Sequence, residues 1–319
     1  MIYYTVKRIL MLIPVLLIVS LLVYVLLDMA PGSIIDTMNI EKLTEEQYQD
    51  LIKEYNLDKP VLYRYGLYML NLLKGDMGKS DFTGRDVWEM YSSRFPNTLL
   101  LAISSIIFGS AIGIPLGIFA AKRSGTLADS ATTLVTLVGL SMPAFWLALM
   151  LMFQFSLKLQ WLPAGGNSDG FRSLIMPTIC SGLMLMASGC RQTRSSMLEQ
   201  LNADYLRTAR AKGVPEHVVI NKHALGNAMI PILTTLGTSL GFAIGGSAVI
   251  EAVFTWRGVG QLAVEAVQNR DVTMTMGCTI LTTALFVSIQ LIVDLLYAFV
   301  DPRIKSRYAR PKKIRSDAA

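Results

Sequence analysis

The chain has 319 residues, 52% hydrophobic and only 16% charged, with a formal net charge of +6 and a mean hydropathy of +0.46. Soluble domains carry about 25% charged residues, so this composition excludes an ordinary soluble enzyme and points to an integral membrane protein. The basic balance invites a nucleic-acid reading, but the basic residues fall where membrane topology puts them. Three cysteines in apolar runs (Cys180, Cys190, Cys278) and two neighbouring histidines (His217, His223) give neither a disulfide framework nor a metal-ligand spacing.

In chain order, Lys7 and Arg8 precede an apolar run from Ile9 to Leu27, enough to cross roughly 30 Å at 1.5 Å per residue. It is longer than a signal-peptide core, and Asp28-Met29-Ala30-Pro31 offers no small-residue cleavage site, so it reads as a retained first span. Residues 30–95 read as a soluble extracytoplasmic segment with eleven acidic and eight basic side chains. A helix is expected from Thr44 to Tyr55, capped by Thr44 and Gln47. Gly78-Lys79-Ser80 mimics part of a phosphate loop, but Leu73 stands where such a loop needs its first glycine.

Arg94-Phe95-Pro96-Asn97-Thr98 opens a second span, Leu99 to Ala121, whose Gly109, Gly113 and Gly117 have the spacing of close helix packing in lipid. A third span runs from Leu127 to Leu157, and Pro143 within Ser141-Met142-Pro143-Ala144-Phe145-Trp146 is expected to kink it. The fourth, Leu174 to Gly189, delivers Arg191 and Arg194 to the membrane surface. A fifth, Met229 to Ile250, carries Gly237, Gly241, Gly245 and Gly246, and the sixth, Met274 to Val300, contains Asp294.

Between the fourth and fifth spans lies a charged interval, residues 202–231. Leu198, Leu201, Tyr205 and Thr208 recur at helical steps, and Asp204 precedes Arg207 by one turn. Gly213 suits a left-handed helix stop and Pro215 the first turn of another helix. A DNA-reading helix-turn-helix has the same outline, but apolar spans on both sides argue against it.

The run Asp204-Tyr205-Leu206-Arg207-Thr208-Ala209-Arg210-Ala211-Lys212-Gly213 resembles the cytoplasmic coupling loop of binding-protein-dependent ABC importer permeases, in particular the dipeptide, oligopeptide and nickel branch. The Glu-Ala of the wider superfamily's loop is replaced here by Arg207-Thr208, a departure usual in that branch. Trp161-Leu162-Pro163-Ala164-Gly165-Gly166, Glu251-Ala252-Val253-Phe254-Thr255-Trp256-Arg257-Gly258-Val259-Gly260 and Asp301-Pro302-Arg303-Ile304 also resemble that family, which usually has proline where Arg257 stands. Gly258-x-Gly260 lacks the preceding strand of a dinucleotide site.

The resemblance implies an all-α integral membrane protein with six transmembrane helices in the type I ABC importer permease fold. It divides the chain into a first span (1–29), the extracytoplasmic segment (30–95), a five-span core (96–303) with the coupling loop at about 192–228, and a basic cytoplasmic tail (304–319). It implies transport of di- or oligopeptides, with nickel or a nickel chelate as the alternative; an ion-coupled secondary transporter is a remote one. No catalytic or metal site and no cofactor is expected on this chain, ATP and Mg being handled by partners. Those partners are a homologous second permease, two ABC ATPases, an extracytoplasmic substrate-binding protein and the lipid bilayer, without nucleic acid. The coupling residues are expected to be Asp204, Tyr205, Arg207, Thr208, Ala209, Arg210, Ala211, Lys212, Gly213, Pro215 and Glu216. Pathway or gate candidates are Pro143, Gly245, Gly246, Glu251 and Asp294, with a pair between Asp294 and Arg191 or Arg194 as the competing reading.

Orientation follows from the Lys and Arg distribution. With both termini in the cytoplasm, 17 of the 29 basic residues lie inside and four in short outer loops, the other eight falling in residues 30–95. The charge rule favours that arrangement, and the resemblance implies a bacterial or archaeal cytoplasmic membrane.

Overall fold

A computed structural model describes residues 2–30, 45–54 and 56–300. Pro31-Gly32, the Thr44 cap, Tyr55, the Asp301-Pro302-Arg303-Ile304 run and the tail 304–319 lie outside these residues. The described elements are helices: α1 (Ile2–Met29), α2 (Glu45–Glu54), α3 (Val61–Leu73), α4 (Val87–Lys122), α5 (Leu127–Ser141), α6 (Ala144–Leu151), α7 (Phe171–Leu201), α8 (Asp204–Ala211), α9 (Glu216–Val218), α10 (Leu225–Gly246), α11 (Ala248–Val253), α12 (Val259–Gln268) and α13 (Val272–Val300). Wider, π-helical turns extend α6 over Met152–Lys158 and join α9 to α10 over Val219–Ala224. Among the described residues, five helices are long and apolar enough to cross a membrane; α5 with α6 makes a sixth crossing if the bent pair is one span.

That pair departs from the expected kink. Its halves meet at 96°, because Pro143 has no N–H and forces the residue before it out of helical geometry. Met142 is extended (φ −80°, ψ 122°), and the Pro143 carbonyl starts α6 by accepting from Leu147 N at 3.1 Å. The second span also begins earlier than expected. Asp86 caps it, its carboxylate accepting from the Glu89 N–H at 3.0 Å, so the helix starts at Val87 and carries Pro96 inside it.

The core of the bundle is the α4–α7 pair, where the glycine spacing has its physical consequence. A Cβ on Gly113 would stand 2.5 Å from the Met186 carbonyl oxygen, and one on Gly117 2.6 Å from that of Cys190. Backbone-to-backbone contact of this kind lets dispersion replace the hydrophobic drive that lipid removes.

Arg194, at one end of α7, forms a two-pronged pair with Asp129 of α5: Nε to Oδ1 at 2.6 Å and Nη2 to Oδ2 at 2.8 Å. Arg194 is one of the two arginines, with Arg191, expected near Asp294. Asp129 also accepts from Gly125 N at 3.0 Å, tying the α4–α5 turn to α7. Asp294 lies in α13, and its side chain is outside the described residues.

Candidate interaction site at the Asp204–Glu216 turn

α7 ends at Leu201, and the extended Ala203 (φ −74°, ψ 143°) separates it from α8. The face expected to run through Leu198, Leu201, Tyr205 and Thr208 is therefore interrupted. The residue that fastens α8 to the bundle is Leu206, wholly buried against Met197, Val219, Ile220, Ala224 and Ala228. Sequence reasoning passed over Leu206; its signal was being the one large aliphatic residue between Tyr205 and Val214. Tyr205 and Thr208, which share that face in the sequence and are expected among the coupling residues, are exposed.

Gly213 does what its position in the sequence suggests. Its φ is +78°, which a side chain disfavours. Its N–H donates to the Arg210 carbonyl at 2.9 Å, and Val214 N donates to the Ala209 carbonyl at 3.2 Å. These two bonds satisfy the last carbonyls of α8 and return Val214 to the Leu206 cluster. Pro215 follows in extended geometry, and its carbonyl accepts from Val218 N and Val219 N. From Glu216 the chain runs through the π-helical turns directly into α10, so the fifth span begins well before Met229.

Two side-chain links hold the turn. Arg210 Nε and Nη2 donate to Glu216 Oε2 at 3.1 Å and Oε1 at 2.9 Å across Gly213. The Tyr205 hydroxyl donates to Gln200 Oε1 at 2.8 Å and accepts from Asn227 Nδ2 at 3.0 Å, linking α8 to the end of α7 and the start of α10. Asp204 and Arg207 form a looser 3.5 Å pair with both side chains largely in solvent. Asp204, Tyr205, Arg207, Thr208, Arg210, Ala211, Lys212, Gly213, Pro215 and Glu216 all lie on the exposed side of this turn, and Ala209 is half-buried beneath them. The result is a charged outward surface on a rigid peg, clamped to two long helices at once.

The opposite end of the bundle holds Glu251, one of the pathway candidates. The side chain is fully buried. Its Oε1 accepts from Thr98 Oγ1 at 2.8 Å and Ser247 Oγ at 2.7 Å, and its Oε2 from Gln261 N at 3.0 Å. Thr98 Oγ1 in turn accepts from Val259 N at 2.8 Å. Trp256 Nε1 donates to the Asn97 carbonyl, and Asn97 Nδ2 to the Arg257 carbonyl. Glu251 is thus the hub that fastens the 251–261 loop onto α4, with no face toward water. Gly258 and Gly260 serve that packing: a Cβ on Gly258 would fall 2.3 Å from Glu251 Oε2.

Of the other pathway candidates, Gly245 lines a cavity of about 230 Å³ with Gly260, Cys278, Thr279, Thr282 and Thr283. Gly246 closes α10. Pro143 borders an apolar groove formed by Leu137, Val138, Met142, Phe145 and Trp146 at the α5–α6 bend. These positions are not brought together with the Asp204–Glu216 turn.

Comparison with known proteins adds the following. The family model described as "Binding-protein-dependent transport system inner membrane component" matches residues 113–306, and its N-terminal companion model matches residues 1–102. The oligopeptide transport system permease protein AppB of Bacillus subtilis is 39% identical over 95% of this chain and 99% of its own length. The dipeptide transport system permease protein DppB of Alkalihalophilus pseudofirmus is 37% identical over 96% and 100%. The glutathione transport system permease protein GsiC of Escherichia coli is 38% identical over 96% and 99%. Among solved structures, a chain of the MetNI methionine ABC transporter in inward-facing conformations is similar at a TM-score of 0.55, with 19% identity over 66% of this chain and 96% of that one.

Proposed function

The chain belongs to the binding-protein-dependent transport system inner membrane component family, and from that membership we propose that it passes di- or oligopeptides through the cytoplasmic membrane as one permease subunit of an ATP-driven importer. Its fold is that of the type I ABC importer permeases. The peptide reading draws on relatives named for oligopeptide, dipeptide and glutathione transport.

In this reading the Asp204–Glu216 turn faces the cytoplasm and seats in an ATPase subunit. The observation that carries it is the turn itself: a charged, exposed surface held by Leu206 inside and by Tyr205 to both neighbouring helices. A force applied to α8 is passed to α7 and α10 together, so a movement of the ATPase becomes a movement of two spans. Arg207, Arg210 and Lys212 offer charges that set register with an acidic groove, while Ala209 and Ala211 permit close approach. The same reading puts both termini in the cytoplasm, as the clustering of basic residues in the sequence favours. A second permease subunit, two ATPases that bind ATP and Mg, and an external binding protein complete the assembly.

The test is uptake of a labelled oligopeptide by proteoliposomes containing the whole transporter. Gly213→Pro forbids the +78° backbone and removes the N–H bonded to Arg210. Normal assembly with ATP-dependent uptake abolished is the expected result. Undiminished uptake at equal protein level removes the lever.

A further inference from the structure

α3 lies in the segment that composition marks as soluble, yet its own sequence is apolar on both faces. Val61, Tyr65, Tyr68, Met69 and Leu72 pack against α1 and α13, meeting Leu16, Val23, Tyr24, Met276 and Ile280. The other side presents Leu62, Tyr63, Leu67, Leu70 and Leu73 outward, with Leu62 68% and Leu73 82% exposed. Gly66 lies on this outward side, and a Cβ there would meet nothing within 4 Å. No residue of the helix is fully buried.

Several observations fix the depth at which it sits. The Tyr65 hydroxyl shares hydrogen bonds with Ser20 Oγ and the Leu17 carbonyl, and Leu17 lies about 18 Å inside the end of α1 at 1.5 Å per residue. Leu16 to Tyr24 fall within the apolar run Leu10–Met29, and Met276 and Ile280 within the span Val272–Val293. Beyond α3 the chain reaches the start of α13, where Ser80 donates to Asp271 and Asp81 accepts from Thr273 N. The helix therefore lies between the mid-depth of α1 and the mouth of α13. Arg64, its one charged residue, pairs with Asp28 in the last turn of α1, which sets that side of α3 at the outer end of the first span.

We propose that α3 is a membrane-embedded helix lying against the bundle, its Leu62–Leu67–Leu70–Leu73 stripe seated among lipid acyl chains of the leaflet opposite the Asp204–Glu216 turn. Apart from Tyr63 the large outward residues are the aliphatic Leu62, Leu67, Leu70 and Leu73, whereas protein-binding surfaces of that size carry hydrogen bonds across their contact area. α1, on which it rests, is also peripheral: within Leu10–Met29 only Ser20 and Tyr24 are buried. A monomer exposing so continuous an apolar face to water would be unusual, and helices of this kind are at home at the hydrocarbon boundary.

The test places nitroxide labels at Leu62→Cys, Leu67→Cys and Leu70→Cys in the full chain, reconstituted in liposomes with its co-purified partners. Collision with oxygen well above collision with a water-soluble nickel chelate at Leu67 and Leu70 is expected. Chelate-dominated collision would put the stripe in water, and low collision with both would put it beneath a protein partner; either overturns the proposal. As a second measurement, Leu70→Trp fluorescence is expected to be strongly quenched by lipids brominated along their acyl chains, and absence of quenching also overturns it.

Discussion

The hydroxyl of Tyr205 stands between two helices, accepting from Asn227 Nδ2 at 3.0 Å while donating to Gln200 at 2.8 Å. Tyr205→Phe keeps the ring and removes both bonds. Each net hydrogen bond is worth about 1 kcal/mol, so the chain should fold while α8 loosens. Hydrogen exchange at residues 204–212 is expected to accelerate, with ATP-driven uptake reduced at unchanged assembly.

The Arg210–Glu216 pair bridges Gly213 but is open to solvent, with side chains 37% and 57% exposed. Exposed pairs are screened by solvent and add little to stability, so Glu216→Gln is expected to shift the thermal midpoint only slightly. Gly213→Ala acts through the backbone instead: a left-handed conformation costs a side-chain-bearing residue about 1–2 kcal/mol. Thermal unfolding of the two variants in detergent should rank alanine at Gly213 as the more damaging.

Glu251 gathers donors from Thr98, Ser247 and Gln261 in a fully buried site. Glu251→Ala strands three buried donors, each costing about 1–3 kcal/mol, and should collapse expression. Glu251→Gln retains an acceptor and is expected to be milder. Equal yields of the two would contradict the hub.

Asp81 lies where the 74–86 loop meets the start of α13, accepting from Thr273 N and Oγ1. Burial pushes its carboxyl up to about 6; the Thr273 bonds oppose this and neighbouring Asp271 adds to it. A folded-state value above the ordinary carboxylate value means the folded chain holds the proton more tightly. The junction therefore gains stability as pH falls through about 6, and loses it as pH rises through that value. The thermal midpoint is expected to rise between pH 7 and pH 5, and Asp81→Asn to flatten that rise.

What could be read from the sequence was what is local. Apolar runs gave the crossings, and Gly213-x-Pro215 announced the turn because a positive φ and a missing N–H are properties of single residues. Pro143 announced a break but not its 96° angle, which depends on how both halves pack. The pairing of Arg194 with Asp129, 65 residues apart, has no trace in spacing. Leu206 was hidden because an eight-residue helix shows too few turns for its buried face to stand out. The apolar character of α3 was masked by averaging it with the acidic residues around it.

The assertion that the exposed side of the Asp204–Glu216 turn is gripped by an ATPase is tested most directly by crosslinking. Arg207→Cys in the assembled transporter, treated with a short bifunctional thiol reagent, is expected to capture an ATPase subunit from the cytoplasmic side. Labelling of Arg207→Cys only from the external side, or failure to capture an ATPase in transporter that still imports peptide, would contradict it.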